Sequence, residues 1–197
     1  TNTAPDCEDE VNFVVTITPS PQIDNPGPQA GCDQFDLGTI TITGTNIVNP
    51  QFYDDTQVNG GQLIVDPVLT STQTVWIYDQ TNSDPNCDDE VNFLVTIHPV
   101  PDGSALVTQA IDCFGGSGTV TITAQNGTPP YEYYLDGTLD LDGDGVFTNV
   151  IAGTYPWMID DAEGCGPITG SIEVTEPTLL IANIVGQTND VCNTAPN

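Results

Sequence analysis

The sequence predicts an all-β protein made of tandem Ig-like β-sandwich modules in an extended rod. Three observations carry this expectation. β-Branched and aromatic residues alternate with polar ones over short runs, and no segment has a convincing helical period. Nineteen glycines and sixteen prolines punctuate those runs, as turns between many short strands require. Finally, the chain repeats itself: residues 1–19, TNTAPDCEDEVNFVVTITP, and 81–99, TNSDPNCDDEVNFLVTIHP, are identical at 13 of 19 positions at an offset of 80.

The repeat is informative in its differences. In a strand, successive side chains point to opposite faces. Val91, Phe93, Val95 and Ile97 share one face, and Val11, Phe13, Val15 and Ile17 reproduce it without a change. Both differences within the strand, Val14/Leu94 and Thr18/His98, fall on the other face. A packed face is kept and an outer face drifts, as in the closing strand of a β-domain. Residues 1–19 are therefore expected to close an earlier module. Cys192 follows Cys113 by 79 residues and is expected to open another. We thus expect an excerpt: a tail (1–19), one module (20–101), a second (102–184) and the start of a third (185–197).

In chain order, Ser20–Gly31 is rich in Pro and Gly and reads as a linker or irregular edge. Thr39–Thr45 alternates Ile40 and Ile42 with threonines and predicts a half-buried strand. Asn59-Gly60-Gly61 marks a turn. Thr74–Tyr78 predicts a strand with Val75 and Ile77 inward and Trp76 outward, and Asp84-Pro85-Asn86 turns the chain into the closing strand. Val100-Pro101-Asp102-Gly103 reads as a short stiff junction that limits bending between modules. The second module is expected to hold strands at Gly118–Ala124, Tyr131–Leu135, Val146–Val150, Gly153–Asp160, Ile168–Thr175 and Leu179–Ile184.

Charge narrows the function classes. There are 28 acidic residues and no Lys or Arg, where ordinary usage would supply roughly two dozen basic ones. Phosphate neutralisation, and with it ordinary nucleic-acid binding, is excluded. Anionic membrane surfaces are disfavoured, and no stretch reaches transmembrane length, so direct membrane insertion is not expected. Divalent cations are the natural counter-charges. Disorder, the usual consequence of high net charge, is opposed by 38% apolar content and regular alternation.

Cys32 and Cys87 fall within one expected module, Cys113 and Cys165 within the next. Bridging each pair would close loops of 55 and 52 residues, contributing roughly 4 kcal/mol apiece in the chain-entropy model. Cys7 and Cys192 would then pair outside the excerpt. Oxidised cysteines imply an extracytoplasmic compartment; free buried thiols are the alternative. Without a CxxC pair, zinc is not expected.

Around these residues the chain takes on a family likeness. Cys113, Gly127, Pro130, Tyr131, Tyr133, Asp136, Gly137, Phe147, Ala152, Gly153, Tyr155, Asp160, Gly164, Cys165, Glu176 and Pro177 carry a pattern that resembles the SprB repeat of giant surface adhesins of gliding Bacteroidota. The likeness covers about 104–184, and the first module looks like other Ig-like modules of such adhesins. The resemblance implies type 9 secretion, cell-surface display attached at the outer membrane, and a role in attachment or gliding motility. Partners would be neighbouring modules, surface polysaccharide, and outer-membrane secretion or motility machinery. Such repeats have a short hairpin after Asp136-Gly137, whereas Thr138–Gly145 is an insertion here.

That insertion holds Asp140-Leu141-Asp142-Gly143-Asp144-Gly145. Carboxylates at alternate positions followed by Gly let a tight loop wrap several oxygens around one hard cation, as in the first half of an EF-hand loop. Position twelve is Ile151 and no helices flank it, so a complete EF-hand is rejected. A calcium site at Asp140, Asp142 and Asp144, with Asp136 as an extra ligand, stands beside a plain solvated acidic loop. The absence of any Lys or Arg neutraliser favours Ca2+.

Trp76, Tyr78, Tyr155 and Trp157 could form a glycan-binding aromatic face; core packing is the commoner role. Threonines at Thr39–Thr43 and Thr119–Thr123 are ordinary outer-face residues. His98, the one histidine, is expected at the surface. No Ser-His-Asp motif or distinguishable carboxylate pair supports catalysis. The expectation is a non-enzymatic stalk segment of a surface adhesin; glycan-binding modules are the competing class.

Overall fold

Two alternating apolar faces organise the chain, and each closes a separate core. The structure is a computed structural model that describes residues 11–15, 17–81 and 87–182. The chain divides between His98 and Pro99 into two units. The expected turn at Asp84-Pro85-Asn86, Cys7, Cys192 and the module start at 185–197 lie outside the described residues.

The first unit contains β1 (Gln22–Ile23), β2 (Gln29–Cys32), β3 (Phe35–Asp36), β4 (Gly44–Thr45), β5 (Gln51–Tyr53), β6 (Val68–Leu69), β7 (Gln73–Gln80) and β8 (Asp88–His98). Its main sheet has the order β2-β8-β7-β5, while β1-β4 and β3-β6 form two-stranded pieces. β8 is the organising strand. It pairs antiparallel with β7, placing Phe93 opposite Val75 and Val91 opposite Ile77, and parallel with β2. Phe93, Val95, Val75 and Ile77 bury their side chains with Ile23, Leu37 and Leu69.

Two sequence expectations change here. Of the two readings of Ser20–Gly31, the irregular edge holds and the linker does not, because the segment supplies β1 and most of the edge strand β2. Thr39–Thr45 is not one strand: a 3-10 turn spans Leu37–Thr39, and only Gly44–Thr45 is paired. Ile40 and Ile42 still pack against the core. The alternation was a true signal of burial, but the Asp36 carboxylate caps the 3-10 turn by accepting from Gly38 N and diverts the backbone.

The second unit contains β9 (Pro101–Gln109), β10 (Gly118–Asn126), β11 (Tyr131–Leu135), β12 (Thr138–Leu139), β13 (Val146–Val150), β14 (Gly153–Asp161) and β15 (Ile168–Val174). Sheets β13-β10-β9 and β12-β11-β14-β15 face one another. Between them lie Ile111, Val120, Ile122, Tyr133, Leu135, Val150, Ile159 and Val174. This is an Ig-like sandwich of three strands against four. The expected stiff junction is absorbed into it, since Pro101–Gly103 begin β9 and pair with Ala124–Asn126. Leu179–Ile181 lie in no strand and are exposed; residues 183 and 184 of that expected strand are outside the described set.

The repeated segment behaves unlike its copy. Phe93 is 3% exposed and Val95 0%, whereas Phe13 is 80% and Val15 69% exposed. The same side chains are buried once and exposed once. Among the described residues there is no α-helix, and so no helix long and apolar enough to cross a membrane.

Candidate functional site

The acidic loop is built on a tight hairpin. Leu135 pairs with Thr138, leaving Asp136-Gly137 as a two-residue turn with φ of 50° and 76°. Positive φ at both positions is the type I′ requirement, met cheaply by Asp-Gly. The insertion therefore begins as a strand, β12, and only residues 140–145 form the loop. Asp136 sits at the hairpin turn, away from the cluster.

Asp140, Asp142 and Asp144 do converge. Each offers a carboxylate oxygen within 4.8 Å of the others'. The loop is held shut from inside. Asp140 N donates to Tyr133 O at 2.9 Å, Gly145 N donates to Asp140 Oδ2 at 2.7 Å, and Val146 N donates to Asp144 Oδ1 at 2.8 Å. Burial raises the Asp140 pKa, but hydrogen bonds from Asp142 and from backbone N–H groups outweigh it and hold this carboxyl below the ordinary range. The Asp142 carboxyl is pushed up, first by its hydrogen bond to Asp140 and then by the charges of Asp140 and Asp144. Such opposite shifts are what crowding two like-charged carboxylates produces. Chemically, the convergent oxygens suit a hard cation.

The four candidate aromatics do not form one face. Tyr155 and Trp157 point inward on β14 and pack on the second core. Tyr155 donates its hydroxyl to Ile151 O at 3.0 Å, bridging the bend between β13 and β14 in the manner of an Ig tyrosine corner. Trp157 lies over Gly170, where a Cβ would come within 2.3 Å of the indole. Both are structural.

Trp76 and Tyr78 do share the outer face of the first unit's main sheet. Their strand neighbours include Tyr53, opposite Trp76, and Gln51, opposite Tyr78. The Tyr53 and Tyr78 rings meet edge to face at 6.0 Å and 88°. Trp76 is half-buried rather than an open platform. The loop after β5 reaches across β7 to β8, where Gln57 N donates to Glu90 Oε2 at 2.8 Å. Beside it a recess of about 160 Å³ is lined by Asn49, Gln51, Tyr53, Tyr78, Asp79 and Gln80. Sequence reasoning missed Tyr53 and Gln51 because β5 has only three residues, too few for alternation to register.

The cysteine pairing is corrected. Cys32 and Cys165 are disulfide-bonded, whereas Cys87 and Cys113 carry free thiols. Neither Cys32–Cys87 nor Cys113–Cys165 forms. Cys32 stands opposite His98, eleven residues beyond Cys87 along an extended strand, so the two are about 35 Å apart at 3.3 Å per residue. A disulfide needs Cα atoms within roughly 7 Å. In the second unit, Gly115 near Cys113 donates its N–H to Glu176, past the end of β15. Cys165 precedes the start of β15 and is tied by its N–H to Asp161. Each expected pair thus spans a module's length.

His98 ends β8 half-buried, and its carbonyl accepts from Asp33 N at 2.9 Å.

No family model matches the chain, and no curated protein matches it in sequence. Among solved structures it is similar to the N-terminal eight Ig domains of Down Syndrome Cell Adhesion Molecule isoform 1.30.30, with 14% identity over 79% of this chain and TM-score 0.49. It is also similar to the N-terminal four Ig domains of Dscam1 isoform 6.44, with 12% identity over 83% of this chain and TM-score 0.40. The chain spans 27% and 47%, respectively, of those chains.

Proposed function

We propose that this chain is a non-enzymatic stalk segment of an extracellular cell-surface adhesin, in which consecutive Ig-like modules carry a binding region away from the cell. The observation that carries it is the repeated segment: the face of β8 that buries Phe93 and Val95 recurs at Val11, Phe13, Val15 and Ile17, which lie in no strand and are 69–85% exposed, as expected of a segment that packs in a further module of the same plan. Two disulfide-bonded cysteines, Cys32 and Cys165, support an oxidising compartment. A role in gliding motility, type 9 secretion and contact with outer-membrane machinery rest on the SprB-repeat resemblance alone. Antibodies against this segment should label intact, unpermeabilised cells, and cells lacking it should attach or glide poorly. Labelling only after permeabilisation would sink the reading.

Calcium fits the same role. Asp140, Asp142 and Asp144 would hold Ca2+ between their carboxylates, pinning the β12–β13 loop. Excess calcium should then raise the unfolding temperature relative to chelator, and Asp142→Asn should abolish that rise. An unchanged midpoint leaves a solvated acidic loop.

The competing reading, a glycan-binding module, is favoured by one feature, the Tyr53–Tyr78 pair on an outer sheet face. Binding of surface polysaccharide that is lost in Tyr78→Ala would support it.

A further inference from the structure

We propose that the recess beside Tyr53 and Tyr78 takes a guanidinium group, an arginine side chain presented by a basic partner from outside these 197 residues. This goes beyond the stalk reading and does not depend on it. Both phenol rings line the recess, and aromatic faces attract cations through the ring quadrupole. Its rim supplies acceptors: Gln80 Oε1, which already receives the Tyr78 hydroxyl at 3.0 Å, and the side-chain amides of Asn49 and Gln51.

The surrounding field is negative. Glu90 is the strand partner of Tyr78 and Asp88 that of Gln80. The Tyr78 phenol is pushed up, first by burial and then by the charge of Asp88, with Tyr53, Glu90 and Asp79 adding to it.

A hard metal ion suits this recess poorly, because Asp79, the one carboxylate lining it, is engaged, as is the nearby Glu90. Asp79 accepts from Val48 N at 2.6 Å and Asn49 N at 2.9 Å, and Glu90 accepts from Gln57 N. What is left is aromatic surface, amide oxygens and net negative potential. That combination suits a weakly hydrated, planar, five-donor cation better than a compact ammonium.

Charge also identifies the source. These 197 residues contain no Lys or Arg, so another copy of them cannot fill the recess. The arginine must come from outside these 197 residues, on a basic partner drawn in by the acidic surface.

The test uses the whole chain at physiological salt with three capped peptides, Gly-Arg-Gly-Arg-Gly and its lysine and citrulline analogues. Binding is read by NMR titration. The arginine peptide should shift the resonances of Gln51, Tyr53, Tyr78 and Gln80, and the citrulline peptide should bind at least fivefold more weakly. Tyr78→Leu and Tyr53→Leu preserve the net charge and should each weaken arginine binding at least fivefold. Tyr134→Leu, in the other unit, should leave it unchanged.

Equal binding by wild type and both tyrosine variants would show only diffuse attraction and overturn the site. Shifts spread over all acidic surfaces, or none, would do the same. Equal binding of the citrulline peptide removes the cation, and equal binding of the lysine peptide removes the guanidinium. The peptide comparisons on wild type decide the matter even if a tyrosine variant fails to fold.

Discussion

Phe13 and Phe93 occupy equivalent positions of one repeated sequence, so truncating each to alanine tests the fold with chemistry held constant. Phe93 is 3% exposed and meets Phe52 edge to face at 6.4 Å and 70°. Losing a buried Phe side chain forfeits about 1.5–3 kcal/mol of transfer free energy. The aromatic pair adds about 0.5–1.5 kcal/mol, and the cavity brings the total to roughly 3–5 kcal/mol. Phe13 is 80% exposed, and its truncation should change stability by less than about 0.5 kcal/mol. The assay is urea unfolding by tryptophan fluorescence. Trp76 is the one tryptophan of the first unit and Trp157 of the second, so a Trp157→Phe background confines the signal to the unit holding both phenylalanines. Phe93→Ala should lower the midpoint severely and Phe13→Ala leave it in place. Phe93→Leu, with a smaller cavity, should fall between and keeps the test alive if the alanine variant does not fold. A cost above about 1 kcal/mol for Phe13→Ala, or below it for Phe93→Ala, would refute the burial assignment and the stalk argument built on it.

Three further outcomes follow from named contacts. Alkylation of the native, unreduced protein should modify Cys87 and Cys113, the exposed Cys113 faster, while Cys32 and Cys165 react only after reduction; mass mapping reads this directly, and protected Cys87 and Cys113 would restore the pairing rejected above. Asp79→Ala should destabilise the first unit by about 1–3 kcal/mol, because it removes the buried carboxylate that accepts from Val48 N and Asn49 N; denaturant titration should show the loss without a change in Trp157 environment. Gly170→Ala should cost about 1–3 kcal/mol by overpacking, since its methyl group would meet the Trp157 indole at 2.3 Å; an unshifted midpoint would place the indole elsewhere.

Several features of the site were legible in advance. Alternate Asp residues with following glycines at 140–145 announce a loop whose oxygens converge, because local backbone geometry alone brings them together. The aromatic face was legible only in part. Trp76 and Tyr78 were visible as outward residues of a long strand, whereas Tyr53 belongs to a three-residue strand whose pairing with β7 is set from 20 residues away. Tyr155 and Trp157 carried the same composition signal as Trp76, yet their roles are internal. Which face of β14 points inward depends on its register with β11 and β15, not on its own letters.

Local chemistry, written in the sequence by itself, determined the all-β class, the apolar face of the closing strand, the Asp-Gly hairpin turn and the lack of any Lys or Arg side chain to neutralise a nucleic-acid backbone. These depend on side-chain alternation, backbone preference and charge, which need no partner to be defined. Tertiary structure alone decided the cysteine pairing, the choice for Ser20–Gly31 of a sheet edge holding β1 and most of β2 over a linker, and the burial of Phe93 against the exposure of Phe13. The physical reason is common to all three. A bond, a strand pairing or a buried ring requires a second surface at contact distance, and that distance is set by how far strands run and in which direction, quantities that residue spacing along the chain does not contain.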